Sequence, residues 1–181
     1  MSILETSHLR LRLFRPDDFD DLARIYADPE VRRYFPDGTL DRTQTKEELD
    51  WSIAGGDGDR PGFVLHALIE RRSERLIGRA GLLSWEIDGA LEVEIAYLVD
   101  RSFWRRGYGG EIARALVRHG FETLGLHRLI ALIHPNNTAS IRTAERAGLR
   151  LERQTTVEGS PCLIYSISRS PPLPLPDGRY G

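Results

Sequence analysis

The sequence predicts a mixed α/β (α+β) fold, with one mostly antiparallel sheet of about seven strands and helices on both faces. Three observations carry this. Short alternating or apolar runs recur at 9–13, 63–69, 76–85, 91–99, 129–133, 149–157 and 163–167. Helical stripes fall after the first run, between the fourth and fifth, and between the fifth and sixth. The middle strands are joined by short turns, whereas the later ones are separated by helices, a crossover that favours parallel pairing.

Leu9-Arg10-Leu11-Arg12-Leu13 alternates strictly and reads as a strand with one buried face. Pro16-Asp17-Asp18 suits the first turn of a helix, whose stripe is Phe19, Leu22, Ala23 and Tyr26. A loop with Tyr34 and Phe35 precedes a second helix, expected over 42–53, with Thr45 and Glu48 placed as a capping box. The strands at 76–85 and 91–99 flank Asp88-Gly89, a two-residue hairpin signal. On the second of them Leu91, Val93, Ile95 and Tyr97 are expected to face the core, leaving Glu92 and Glu94 together on the other face. Gly125 and Gly148 read as helix ends, Asn137 as a helix cap, and 129–133 as a strand buried on both sides. One domain spans residues 1–170, and a Pro-rich tail fills 171–181.

Composition narrows the function. A formal net charge of −2 argues against broad nucleic-acid binding, and no apolar run approaches the ~20 residues of a membrane helix. Cys162 is the single cysteine, expected as a buried structural thiol, and no intramolecular disulfide is possible. The start of the chain lacks the pattern of a secretory signal, so a cytoplasmic protein is expected. The five histidines show no metal-ligand spacing, so no metal is predicted. Monomer and homodimer are both compatible with the chain.

The densest chemical signal is Trp104-Arg105-Arg106-Gly107-Tyr108-Gly109-Gly110-Glu111, which runs into the stripe Ile112, Ala113, Leu116, Val117. Three glycines among four residues let backbone N–H groups approach a ligand with no Cβ in the way. The helix start adds unpaired amides and a positive dipole end. Together they suit phosphate, although a helix entry that merely needs a tight turn is the simpler alternative. The stretch is neither a P-loop nor a dinucleotide fingerprint.

These residues resemble the GCN5-related N-acetyltransferases, the GNAT family. The family's acetyl-CoA loop, Gln/Arg-x-x-Gly-x-Gly/Ala, is matched by Trp104-Arg105-Arg106-Gly107-Tyr108-Gly109, with Trp104 departing at the first place. Asn137-Thr138-Ala139-Ser140 with Gly148-Leu149 is similar to its second motif. Glu94-Ile95-Ala96-Tyr97 resembles a strand of the RimJ/RimL-like branch, which acetylates ribosomal-protein N-termini. The resemblance covers about residues 8–168 and implies a three-layer fold, acetyl-CoA as co-substrate, and a set of roles. The amides of Arg106, Gly107, Tyr108, Gly109 and Gly110 would hold pyrophosphate, with side-chain charge from Arg105 and Arg106. The backbone of Leu98 and Val99 would pair with pantetheine between two splayed strands, and Asn137 and Ser140 would border it.

An amine nucleophile is mostly protonated at neutral pH and must lose a proton to attack. Glu94 or Glu92 would accept it, directly or through water; a solvated strand face is the plain alternative for both. The helix after Asn137 lacks the tyrosine many members use as general acid, which leaves Ser140 or Tyr165, or departure of the thiolate unaided. Tyr34, Phe35 and Trp85 would wall the acceptor site, beside the loop at 55–61. The acceptor is expected to be a protein N-terminal α-amine, with a small-molecule amine (aminoglycoside, polyamine or amino-acid analogue) as the alternative and a non-catalytic acyl-CoA-binding module as the reading from another class.

Overall fold

Strands β1 (Ser2–Glu5), β2 (Leu9–Arg12), β3 (Leu65–Glu70), β4 (Arg75–Ile87), β5 (Ala90–Val99), β6 (Arg128–Ile133), β7 (Arg150–Val157) and β8 (Ser160–Ser168) form one sheet in the order β1-β2-β3-β4-β5-β6-β8-β7. This computed structural model describes residues 2–56, 63–157 and 159–169. The Pro-rich tail and residues 57–61 of the expected acceptor loop lie outside them. Every pairing is antiparallel except β5 with β6. The eighth strand is β1, a four-residue edge strand on β2, too short to show a period of its own.

Two helical layers cover the sheet. On one face α1 (Phe19–Tyr26) and α2 (Arg42–Ile53) bury Leu22, Ile25, Tyr26 and Leu49 against Leu65, Ala67, Ile69 and Leu98. On the other, α3 (Tyr108–Arg118) and α4 (Thr138–Arg146) pack Ile112, Leu116 and Ala144 on Leu68, Ile77, Val93, Ile95 and Leu129. The alternation along β3 and β5 sends neighbouring side chains to opposite layers, so both faces of the central strands are apolar.

Local chemistry sets the element ends. The α2 cap is Asp41, which accepts the Gln44 N–H at 2.8 Å while Gln44 Oε1 accepts the Asp41 N–H at 2.9 Å. This corrects the expected Thr45–Glu48 box: Thr45 is fully buried, and Glu48 is drawn into the interior by Tyr26 and Arg79. Such a cap contributes about 1 kcal/mol. Asp88 (φ 52°) and Gly89 (φ 77°) make the tight turn that joins β4 to β5 over ten paired positions, from Gly78↔Val99 to Ile87↔Ala90. Gly78 is required there, since a Cβ would collide with the Leu98 carbonyl. Leu91, expected in the core, is 58% exposed because it sits beside this turn, past the end of the helical layer.

β5 and β6 are joined at one register pair, Glu94↔Ile130. Beyond it the strands part, and the stretch of β5 from Ile95 to Val99 has no β6 partner. The sheet is therefore split in its middle, between the two motif-bearing regions of the chain.

Candidate active site

The split opens into a cavity of about 530 Å³ that runs through the sheet. On the α3/α4 side its lining includes Tyr97, Asn137 and Ser140; on the α1/α2 side it includes Tyr34, Phe35, Trp85 and Glu94. The fold thus brings together residues of eight elements (α2, β3, β4, β5, β6, α4, β7 and β8) and two loops.

Glu94 stands at the junction. Its Oε2 accepts the Trp85 indole N–H at 2.7 Å, and the carboxylate also accepts the backbone N–H of Leu132 on β6. Burial pushes its pKa up to about 7, opposed by the Trp85 and Leu132 bonds and by the charge of Arg79. The carboxyl thus titrates near neutrality. Glu92, two residues earlier on the same face, is used otherwise. Arg128 holds it at 2.9 Å and is itself held by Glu152 at 2.8 Å. It does not line the cavity, so the two carboxylates that share a strand face in the sequence are separated by their partners.

The glycine stretch forms a tight turn in front of α3. Gly107 is its left-handed cap (φ 82°), and the first helical bond runs from the Glu111 N–H to the Gly107 carbonyl. The amides of the first turn therefore have no intrahelical partner. Arg105 also has positive φ, 62°, and Trp104, Arg105 and Arg106 are exposed. Tyr108 points inward instead: its hydroxyl donates to Glu70 at 2.8 Å and pins the turn to β3. Arg106 folds back over the Phe103 ring at 4.7 Å, with Glu70 at 3.8 Å, which leaves Arg105 as the outward cation. Glu111 clamps the β1–β2 turn, accepting the Thr6 hydroxyl at 2.5 Å and the His8 N–H at 2.8 Å. Trp104 donates its indole N–H to the Val99 carbonyl at 2.7 Å, so the Val99 acceptor already has one partner; Leu98 is buried.

Asn137 caps α4, its Oδ1 accepting the Ser140 amide at 3.2 Å, which leaves its NH₂ group to donate. Capping and cleft lining coexist in one side chain. Tyr97, expected in the core, lines the cleft, and its hydroxyl lies near the side chains of Ser140 and Thr143 on α4, which favour its ionised form. Burial raises its pKa, so it stays protonated. Sequence reading missed this residue because it sought a tyrosine on the helix itself. Tyr165, the other hydroxyl considered, is buried beside Glu145 at 3.4 Å.

Other residues singled out in the sequence also lie around the cavity. Tyr34 stacks on His134, ring centroids 5.3 Å apart, and closes a bridge from the α1–α2 loop to the end of β6. His134 Nδ1 accepts the Asn136 N–H at 3.1 Å, so its neutral form carries the proton on Nε2. Trp85 is more than a wall, since it bonds Glu94. Cys162 lines the cavity as a buried thiol, and burial with the Glu94 charge pushes its pKa up to about 11, a weak nucleophile. Among the described residues no cluster fit to hold a metal ion occurs, and no helix is long and apolar enough to cross a membrane.

A mixed sheet split beside a helix that opens on a glycine turn agrees with the fold that the sequence resemblance implies. Residues 8–150 match the family model for the acetyltransferase (GNAT) domain, and the chain belongs to that family. It is similar to YkkB, an uncharacterized protein of Bacillus subtilis, at 31% identity over 90% of this chain and 93% of that one. It is also similar to YnaD, an uncharacterized N-acetyltransferase of the same organism, at 28% identity over 82% and 83%. A solved GNAT acetyltransferase of Bacillus anthracis superposes with a TM-score of 0.77 at 23% identity, covering 93% of this chain and 98% of the other, a likeness of fold.

Proposed function

We propose that this N-acetyltransferase transfers the acetyl group of acetyl-CoA to a primary amine by direct attack in a ternary complex. The observation that carries the reading is the position of Glu94, a carboxyl of near-neutral pKa at the point where the split sheet joins its two faces. The α3 turn, with Arg105 and the amides of Arg106, Gly107, Tyr108, Gly109 and Gly110, seats the pyrophosphate. The open edge of β5 at Leu98 and Val99 and the NH₂ of Asn137 border the pantetheine. A backbone N–H of that edge polarises the thioester carbonyl.

Glu94 takes one proton from the ammonium form of the acceptor. The freed amine attacks the thioester carbon, the C–N bond forms and the C–S bond breaks. The second proton leaves the nitrogen and passes to the departing thiolate through the Tyr97 and Ser140 hydroxyls. Glu92 is assigned to structure, and no covalent acetyl-enzyme is needed. The likeness of the Glu94–Tyr97 strand to the RimJ/RimL-like branch supports a protein N-terminal α-amine as acceptor. The enclosed aromatic lining at Tyr34, Phe35 and Trp85 supports a small-molecule amine as the second reading.

Thermal melting with acetyl-CoA, ATP and NAD tests the seat: acetyl-CoA alone raises the Tm. CoA release with amine acceptors tests the transfer. A chain that binds acetyl-CoA and transfers to no amine is an acyl-CoA-binding module.

A further inference from the structure

The acceptor half of the cleft contains two arginines and three carboxylates, and their pairing limits what an acceptor can carry. Arg32 is 2% exposed. Its Nη2 lies 2.5 Å from Asp37, and its Nε donates to the Gly38 carbonyl. Its Nη1 is buried with no hydrogen-bond partner, although Arg32 itself lines the cleft. Arg79 is paired with Glu48, which also accepts the Tyr26 hydroxyl at 2.7 Å. Both guanidinium groups lie over aromatic rings: Arg32 is 4.5 Å from the Phe35 centroid and 5.2 Å from Tyr26, and Arg79 is 5.6 Å and 5.2 Å from the same two.

Each arginine therefore has its own carboxylate, and the Tyr26 and Phe35 rings already have both guanidinium groups beside them. Glu94 is the one carboxylate of the three outside an ion pair, and it is assigned to the reacting amine. The rest of this wall is Tyr34, Trp51, Leu83 and Trp85. A second cation on the acceptor would lose its hydration with no uncommitted counter-charge, which disfavours it. A carboxylate beside the amine would face Glu94 with no free arginine to hold it. A flat apolar body instead gains from the apolar area it buries and from ring contacts.

We propose, resting on the acetyl-transfer reading above, that the acceptor presents its amine on an uncharged aromatic or large apolar body with no second permanent charge beside it. The same chemistry is available from a free arylalkylamine or from the first residue of a polypeptide. The full chain is assayed for CoA release with 2-phenylethylamine, phenylalanine, spermidine and kanamycin, and with peptides beginning with Phe, Asp or Lys. Melting with acetyl-CoA is measured in parallel.

The expected result is at least a tenfold higher kcat/KM for 2-phenylethylamine than for the three charged small molecules, or for the Phe-first peptide than for the other two. Whichever arm turns over faster identifies the source. In Arg79→Gln, Glu48 loses its counter-charge, and the spermidine to 2-phenylethylamine ratio rises about tenfold, while the acetyl-CoA KM holds. Preference for a charged acceptor, equal rates, or an unchanged ratio in Arg79→Gln overturns the proposal. So does acetyl-CoA binding without transfer to either apolar acceptor. Absence of any acetyl-CoA effect on melting removes the acetyl-transfer reading itself, and the proposal falls with it.

Discussion

Glu94 shows how one side chain is given a task by its surroundings. A strand face with two carboxylates two residues apart is ordinary, and the sequence only leans towards Glu94 over Glu92. The difference is supplied by β6: Arg128 at its start neutralises Glu92, while Leu132 near its end offers Glu94 only a backbone N–H. For Glu94 acting as base, kcat/KM with an amine acceptor rises with pH on a limb of apparent pKa near the value of about 7 set by burial. Glu94→Gln removes that limb and lowers kcat by about 10²–10⁴-fold, with the acetyl-CoA KM unchanged. Trp85→Phe supplies a finer check. It deletes the indole N–H that favours the charged carboxylate, so the limb moves to higher pH rather than disappearing. A limb that stays in place in both variants assigns the proton to another group.

At the scale of elements, the glycine turn and the α4 cap were legible because their chemistry is local. Gly107 needs positive φ, and Asn137 needs only the amide three residues on. The boundaries of α2 and the Asp88-Gly89 hairpin were legible for the same reason. The Thr45–Glu48 box failed because a buried arginine and a tyrosine hydroxyl outbid a helix terminus for Glu48, a competition between residues 22 and 31 positions apart. Tyr97 was legible as a strand residue but not as a cleft residue, since its reach to α4 depends on the parting of β5 and β6. The turn itself is testable without unfolding it. A Cβ at Gly109 would meet only the Tyr97 ring at 3.5 Å, an ordinary contact. Gly109→Ala therefore keeps both fold and acetyl-CoA affinity near normal, whereas Gly109→Asp, at the positive end of α3, raises the acetyl-CoA KM at least tenfold at a Tm within a few degrees of wild type. Equal KM values for the two variants remove the phosphate seat from this turn.

The molecule as a whole places two titrating groups of opposite sense on one sheet. On the α3 face, burial and the nearby His119 pull the pKa of His66 from 6.5 to about 4. In that interval the unfolded chain binds more protons than the folded one, so this group's stabilisation is complete above pH 6.5 and is lost as pH falls. In the cleft, burial lifts Glu94 from 4.5 to about 7. Here the folded chain binds more protons, so stability is lost as pH rises through that interval. The carboxyls of Glu70, Asp100, Glu111 and Glu152 are held below their ordinary value of 4.5, or 3.8 for Asp100, and act only in more acid solution. Between pH 4.5 and 6.5 the Glu94 slope opposes that of His66, to which His119, its pKa also lowered by burial, adds in the same sense, so the Tm of the wild-type chain changes less than either slope alone would change it. Each replacement exposes the other slope. His66→Gln has a Tm that falls with pH across this interval, and Glu94→Gln has one that rises, each by roughly 5 °C or more. Melting curves at half-unit steps decide it: parallel profiles for the two variants mean that the cleft and the α3 face do not carry these opposed charges. The base that makes the cleft reactive thus costs stability in the pH range where it works, and the buried histidine on the far face hides that cost in mildly acid solution.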